Sequence, residues 1–113
     1  MSHFKRVVLS NPVEGRGDKY NDWCTRTHLA DVLRVPGIVG AQRLRCAEVQ
    51  RDTDPKPWKY MAIYECSADG VQQAIDGLCA RSGAPEMPIN SALAESRYVY
   101  FFEPITEMMS APT

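Results

Sequence analysis

The sequence predicts an α+β fold: a four-stranded antiparallel sheet with two helices packed on one of its faces. Four runs rich in β-branched and aromatic residues supply the strands. Two runs with apolar residues at helical spacing supply the helices, one after the first strand and one after the third. Right-handed crossovers then put both helices on the same side of the sheet.

The first strand is Phe4–Ser10, β-branched in its middle and ended by Asn11-Pro12. Val13–Gly17 is a loop, and Asp18 is placed to cap a helix running from about Lys19 to Arg34. Pro36-Gly37 stops that helix. Ile38–Val49 reads as a long strand, with Arg43 and Arg45 on one face and Gln42, Leu44 and Cys46 on the other. A polar turn, Gln50–Pro57, leads into a third strand, Trp58–Cys66, so the pair forms a hairpin. Ser67 caps a second helix, Ala68–Arg81, with Val71, Ala74, Ile75, Leu78 and Cys79 at helical spacing. A loop from Ser82 to Asn90 ends in a helical turn through Leu93. The last strand, Arg97–Glu103, is closed by Pro104. A single domain is expected, with its core at about residues 4–104 and a flexible tail at 105–113.

The order β-α-β-β-α-β is that of the ferredoxin-like split unit. Two helices cover one sheet face, so the other should be polar in a monomer. It is not: Tyr98, Tyr100 and Phe102 point one way and Val99 and Phe101 the other. On the third strand Tyr60, Ala62 and Tyr64 oppose Met61 and Ile63. Two apolar faces call for a second cover, which predicts a homodimer paired through its sheet faces.

Composition removes several function classes. The 113 residues hold 13 Lys+Arg against 14 Asp+Glu, a formal charge of −1, which argues against nucleic-acid binding. No apolar run approaches the ~20 residues of a membrane span, and the first residues lack the apolar core of a signal peptide. A cytoplasmic protein follows as the expectation. Cys24, Cys46, Cys66 and Cys79 form no C-x-x-C pair and are expected to be reduced, small core hydrophobes.

Two histidines are present. His3 lies at the start of the chain, where a solvated ring without a role is expected. His28 shares a helical stripe about 80° wide with Tyr20, Cys24, Asp31, Val32 and Val35, the stripe expected to face the sheet. Two readings stand side by side: a core histidine satisfied by a backbone carbonyl, and a partly desolvated neutral base that moves protons near neutrality. Asp31, three residues on, is placed to orient the ring. Cys24, His28 and Asp31 also share spacing suited to a metal ion, but no second cluster completes a ligand set, so no metal and no cofactor are expected. Trp23, Trp58, Tyr60, Tyr64, Tyr98 and Tyr100 are candidates to line a pocket, or else core and interface residues. Arg43 and Arg45 share a strand face, where a cation is a candidate to hold a carboxylate or an enolate, or else lies on a solvated strand edge or in a dimer salt bridge. Gly15-Arg16-Gly17 lacks the rest of either phosphate-loop fingerprint.

Four segments carry a resemblance: Asn11-Pro12-Val13-Glu14-Gly15, Tyr20-Asn21-Asp22-Trp23, His28-Leu29-Ala30-Asp31-Val32-Leu33, and Val35-Pro36-Gly37-Ile38-Val39-Gly40-Ala41-Gln42-Arg43. Together they resemble the dimeric α+β-barrel superfamily, most closely its EthD-like family. The likeness covers the first 45 or so residues, and departs from the group at Cys24 and Thr25. The resemblance implies a subunit whose sheet pairs with its mate's into a shared barrel, with a cavity between helices and sheet. Relatives include polyketide cyclases, lactone isomerases, cofactor-free quinol-forming monooxygenases and haem proteins.

The expected function is that of a small cofactor-independent lyase, isomerase or cyclase acting on a hydrophobic aromatic or polyketide-like carbonyl compound. His28 would transfer the proton, with Tyr100 and Arg43 steadying the developing enolate. Tyr20, Trp23, Cys24, Asp31, Tyr60, Tyr64 and Tyr98 would contact the substrate. The alternatives are a cofactor-free monooxygenase of phenols and a non-catalytic dimer that binds a small molecule.

Overall fold

The structure, a computed structural model, describes residues 3–112. Met1, Ser2 and Thr113, the last of which ends the expected flexible tail, lie outside the described residues. The strands are β1 (Phe4–Pro12), β2 (Ile38–Arg45), β3 (Tyr60–Cys66) and β4 (Leu93–Phe102). Between β1 and β2 the chain forms α1 (Gly17–Trp23), a π-helical turn (Cys24–His28) and α2 (Leu29–Leu33); α3 (Val71–Arg81) joins β3 to β4. The sheet order is β2-β3-β1-β4, and every neighbouring pair is antiparallel. This is the ferredoxin-like arrangement.

Local differences from the sequence reading have local causes. The first helix begins at Gly17 with Arg16 as its cap residue, and Asp18 lies in the first turn instead. The hairpin strands are shorter than expected: the last rung is Cys46 N–H to Lys59 C=O, 2.8 Å. Beyond it, Pro55 and Pro57 have no N–H to offer a ladder. Asn11 closes the base of this loop, donating to the Pro57 carbonyl at 2.9 Å and accepting from Lys59 N–H at 2.8 Å. Ser67 does not cap the second helix, because a turn closed by Gly70 N–H on the Ser67 carbonyl delays its start to Val71. A single hydrogen-bonded turn, with Leu93 N–H on the Asn90 carbonyl at 3.1 Å, leads into Leu93. That residue pairs with Pro12 across a bulge and opens β4, which ends at Phe102. His3 is not free: its Nδ1 meets Glu65 Oε2 at 2.6 Å, and this contact with Lys5 holds the Glu65 carboxyl below its usual range.

The core lies between sheet and helices, where Val32, Val35, Ile38, Tyr64, Cys66, Ala74, Leu78 and Met87 form one buried cluster. A second cluster joins Tyr20, Trp23, Cys24 and Ala92. The register sorts the strand residues. Arg6 lies opposite Tyr64 and Phe101, and Val8 opposite Ala62 and Val99, all on the helix-covered face. Val7, Leu9, Met61, Ile63, Tyr98, Tyr100 and Phe102 occupy the other face. There Trp58, Tyr98, Tyr100 and Phe102 form a continuous aromatic row with ring centroids 5.2, 5.8 and 6.2 Å apart, and its three strand members are half exposed. Residues 103–112 form no helix or strand and are exposed apart from Pro104.

One glycine is needed to close the layer. Gly37 has φ +98°, and a Cβ there would overlap the Gly70 carbonyl at the head of α3. Gly37→Ala is therefore expected to cost about 3 kcal/mol of stability, read as a lowered urea midpoint at unchanged slope.

Candidate functional site

A cavity of about 250 Å³ lies between the sheet and the first helical segment. β1 contributes Arg6, Val8 and Ser10 to its wall, β2 contributes Arg43, and β3 contributes Tyr60, Ala62 and Tyr64. From the helical side come Tyr20, Trp23, Cys24, His28, Leu29 and Val32. Leu78, Cys79, Ser82, Met87 and Ile89 close one end, and Leu93, Arg97 and Val99 another. Most of this wall is apolar, and no Asp or Glu among the described residues lines it.

The position of His28 depends on the π turn. Leu29 N–H donates to the Cys24 carbonyl five residues back, one residue wider than an α turn. Residues five apart in an α-helix sit about 140° apart around the axis. The wider turn reduces that angle, and Trp23 and His28 stack with centroids 4.6 Å apart and planes at 28°. The indole therefore shields one face of the imidazole.

The ring has no hydrogen-bond partner among the described residues, and its Nδ1 is buried. The reading of His28 as a core histidine satisfied by a carbonyl thus does not describe it. Burial lowers its pKa from 6.5 to about 4; Arg6 and Arg97 push the same way and Asp31 opposes them. The imidazole is neutral at physiological pH.

Asp31 does not line the cavity. Its Oδ1 takes a hydrogen bond from Arg34 at 2.9 Å, and its buried Oδ2 has no partner. It acts on His28 through charge, without an orienting hydrogen bond. Tyr98 and Tyr100 also lie elsewhere. They leave the sheet on the uncovered face, opposite Leu9 and Val7, while their neighbours Arg97 and Val99 enter the cavity. Tyr100 is therefore removed from any enolate held near His28.

The other expected residues do come together. Tyr20 is buried, its hydroxyl 2.5 Å from Ser10 Oγ, and burial raises its pKa. Tyr60 Oη accepts from Asn21 Nδ2 at 3.0 Å. Arg43 donates to Asn21 Oδ1 at 2.9 Å and Thr25 Oγ1 at 2.8 Å, and lies over the rings of Tyr20 and Tyr60 at 5.4 and 5.3 Å. It is held by neutral acceptors and aromatic faces and keeps its full charge for the cavity. Burial raises the Cys24 thiol pKa, which leaves that sulfur a poor nucleophile. Tyr64 is pushed up to about 12 by burial and stays a neutral phenol.

Sequence reasoning missed Arg6 and Arg97. The signal was present in the alternation: Arg6 falls between Phe4 and Val8, and Arg97 precedes Val99 and Phe101, on the face the helices must cover. Arg6 sits 5.1 Å from the Tyr64 ring centroid, and burial lowers its pKa. Among the described residues, no group of three or more His, Cys, Asp or Glu side chains is arranged to hold a metal ion.

Fold and site together define a ferredoxin-like α+β protein with an internal, positively charged, mostly apolar cavity. No family model matches the chain, and no curated protein matches it. Solved structures do. A mutant of MhuD with two manganese protoporphyrin IX bound per active site superposes with TM-score 0.65 at 16% identity, over 95% of this chain and 99% of that one. MhuD from Mycobacterium tuberculosis, a haem degrader with two haems bound, gives TM-score 0.62 at 18% identity over 94% and 99%. An EthD family protein from Bacillus halodurans gives 0.57 at 13% over 91% and 99%. These likenesses show a shared fold, and the last is of the family that the N-terminal motifs resemble.

His28 makes stability pH-dependent in a definite direction. Its folded pKa is depressed, so the unfolded chain takes up the proton first as pH falls below 6.5. Its contribution is complete above that value and is lost progressively down to about 4, amounting to about 3 kcal/mol. His28→Gln should flatten urea-midpoint profiles across this window, and NMR titration of the ring should show it neutral at pH 6.

Proposed function

We propose that the chain is a small cofactor-independent enzyme that moves a proton on a hydrophobic aromatic or polyketide-like carbonyl compound. The observation that carries this reading is the neutral imidazole of His28, free of hydrogen bonds and stacked on Trp23 in the cavity wall. The unprotonated ring takes the proton alpha to the carbonyl, and the electron pair moves to the carbonyl oxygen. Arg43, charged and directed by Asn21 and Thr25, steadies that oxygen. Negative charge developing on the substrate offsets the arginine field that depresses His28, so the base strengthens as the reaction proceeds. The imidazolium then returns the proton to another carbon of the substrate in an isomerase, to the group the enolate expels in a lyase, or, in a cyclase, to the alkoxide formed when the enolate carbon attacks a second carbonyl of the same molecule. Tyr20, Trp23, Cys24, Tyr60 and Tyr64 form the walls around it.

MhuD binds haem, and a neutral imidazole is a donor that iron accepts. The volume argues against it here. At about 250 Å³ the cavity is below the roughly 300–1,000 Å³ of pockets for drug-sized ligands, so a macrocycle would have to extend beyond it. Addition of hemin should leave its Soret band unshifted. A shifted band lost in His28→Gln would replace the present reading.

A second copy of the chain is the proposed cover for the aromatic row on the open face, giving a homodimer through the sheets. Its free cysteines fit a cytoplasmic setting, and no helix among the described residues is long and apolar enough to cross a membrane. Tyr100→Glu should convert dimers to monomers in sedimentation at micromolar concentration.

Native mass spectrometry of protein taken gently from cells identifies the small molecule it carries. On that compound His28→Gln should lower kcat by about 10²–10⁴ with little change in KM. Oxygen uptake during turnover would show the phenol monooxygenase instead. Unchanged turnover in His28→Gln would remove the proton-transfer role, and binding without conversion would leave an accessory dimer.

A further inference from the structure

In the chemistry just described Arg6 and Arg97 act only through their field on His28, and neither is assigned a contact with the substrate. Arg6, the third residue of β1, projects from one of the two central strands onto the covered face, and burial depresses its pKa. Among the described residues it makes no ion pair and no hydrogen bond; its neighbour is the face of Tyr64. Arg97 reaches the same cavity from β4 at its exposed rim, also without an ion pair. The two cations repel each other, and Arg97 lowers the pKa of both Arg6 and His28. Arg43 is the contrast within the same wall, because Thr25, Asn21 and two rings hold it.

Arg6 is half-buried, and a partly desolvated guanidinium gains from a counter-ion. The cavity wall offers no carboxylate. A ligand that carries one supplies the missing counter-ion.

We infer that Arg6 and Arg97 form an anion subsite, and that the molecule bound in this cavity carries a permanent carboxylate on an otherwise apolar body. This rests on the proposed function and sharpens it: the carbonyl substrate is a hydrophobic keto acid. Guanidinium forks match a planar carboxylate edge to edge. A phosphate dianion loses more hydration on entering a cavity whose remaining walls include Trp23, Leu29, Val32, Leu78 and Val99. The carboxylate also relieves the repulsion between the two arginines and, by offsetting them, raises the basicity of His28.

Calorimetric titration with three probes of similar shape tests this: 2-naphthoate, 2-acetylnaphthalene and 2-naphthyl phosphate. The wild-type protein should bind the carboxylate about tenfold more tightly than the neutral ketone or the phosphate. Arg97→Met at the rim and Arg6→Met in the wall should each abolish that preference while leaving the ketone affinity unchanged, and Arg6→Lys should keep part of it. The unchanged ketone affinity separates loss of the subsite from misfolding. NMR titration should also show the His28 pKa rising when 2-naphthoate binds, against the effects of Arg6, Arg97 and Asp31. Equal affinity for ketone and carboxylate, tighter binding of the phosphate, or carboxylate affinity unmoved in both methionine variants would overturn the subsite and leave the proton-transfer reading standing. Failure of all three probes to bind the wild type would remove both.

Discussion

Two helical layers on one side of a four-stranded sheet cannot cover both faces, and the pleat assigns each strand residue to one face or the other. That constraint governs this molecule. On β4, successive residues go to different worlds: Arg97 and Val99 enter the cavity, while Tyr98 and Tyr100 join the aromatic row outside. On β1 the same alternation sends Arg6, Val8 and Ser10 inward and Val7 and Leu9 outward. A register slip of one residue would exchange the charged cavity wall for the apolar outer face. The antiparallel pairing of β1 with both β3 and β4 holds the register over six or more consecutive residues on each side.

Within the cavity the electrostatics follow from composition at one place. Three arginines and no carboxylate share a mostly apolar wall with one imidazole. Such a field disfavours a protonated histidine and favours any negative charge that appears on a bound molecule. In the proposed reaction that field favours the enolate, and Asp31, paired with Arg34, moderates the field without lining the cavity. The π turn completes the arrangement by laying Trp23 against His28, which fixes the ring plane where hydrogen bonds do not.

Much of this was legible in the residues. Element order, the two apolar sheet faces and the sheet-facing direction of His28 follow from periodicities of 2 and 3.6, which are properties of the backbone itself. The Trp23–His28 stack was not legible, because it requires a local change of helical pitch. Applying 3.6 residues per turn across Cys24–His28 assigns Trp23 to another side. Tyr98 and Tyr100 were grouped with the pocket by residue type, although their alternation with Val99 already separated them from it. Arg6 was readable by the same alternation, yet beside Lys5 at the start of Phe4–Ser10 it resembles an ordinary strand-edge cation until the covering helices are seen. The Asp31–Arg34 pair shows why spacing alone does not assign a partner: i, i+3 neighbours lie on both sides of Asp31, and the arginine wins with a full charge.

Proton abstraction from carbon by His28 is the central step of the proposed reaction, and hydrogen–deuterium exchange observes it without knowledge of the overall reaction. Hydrophobic keto acids and ketones incubated with the protein in D₂O are followed by proton NMR at the carbon alpha to the carbonyl. Exchange is expected to run faster than in buffer for at least one bound compound and to be abolished in His28→Gln while binding persists. Bound compounds that exchange no faster than in buffer, or equally fast with His28→Gln, would contradict proton abstraction by His28.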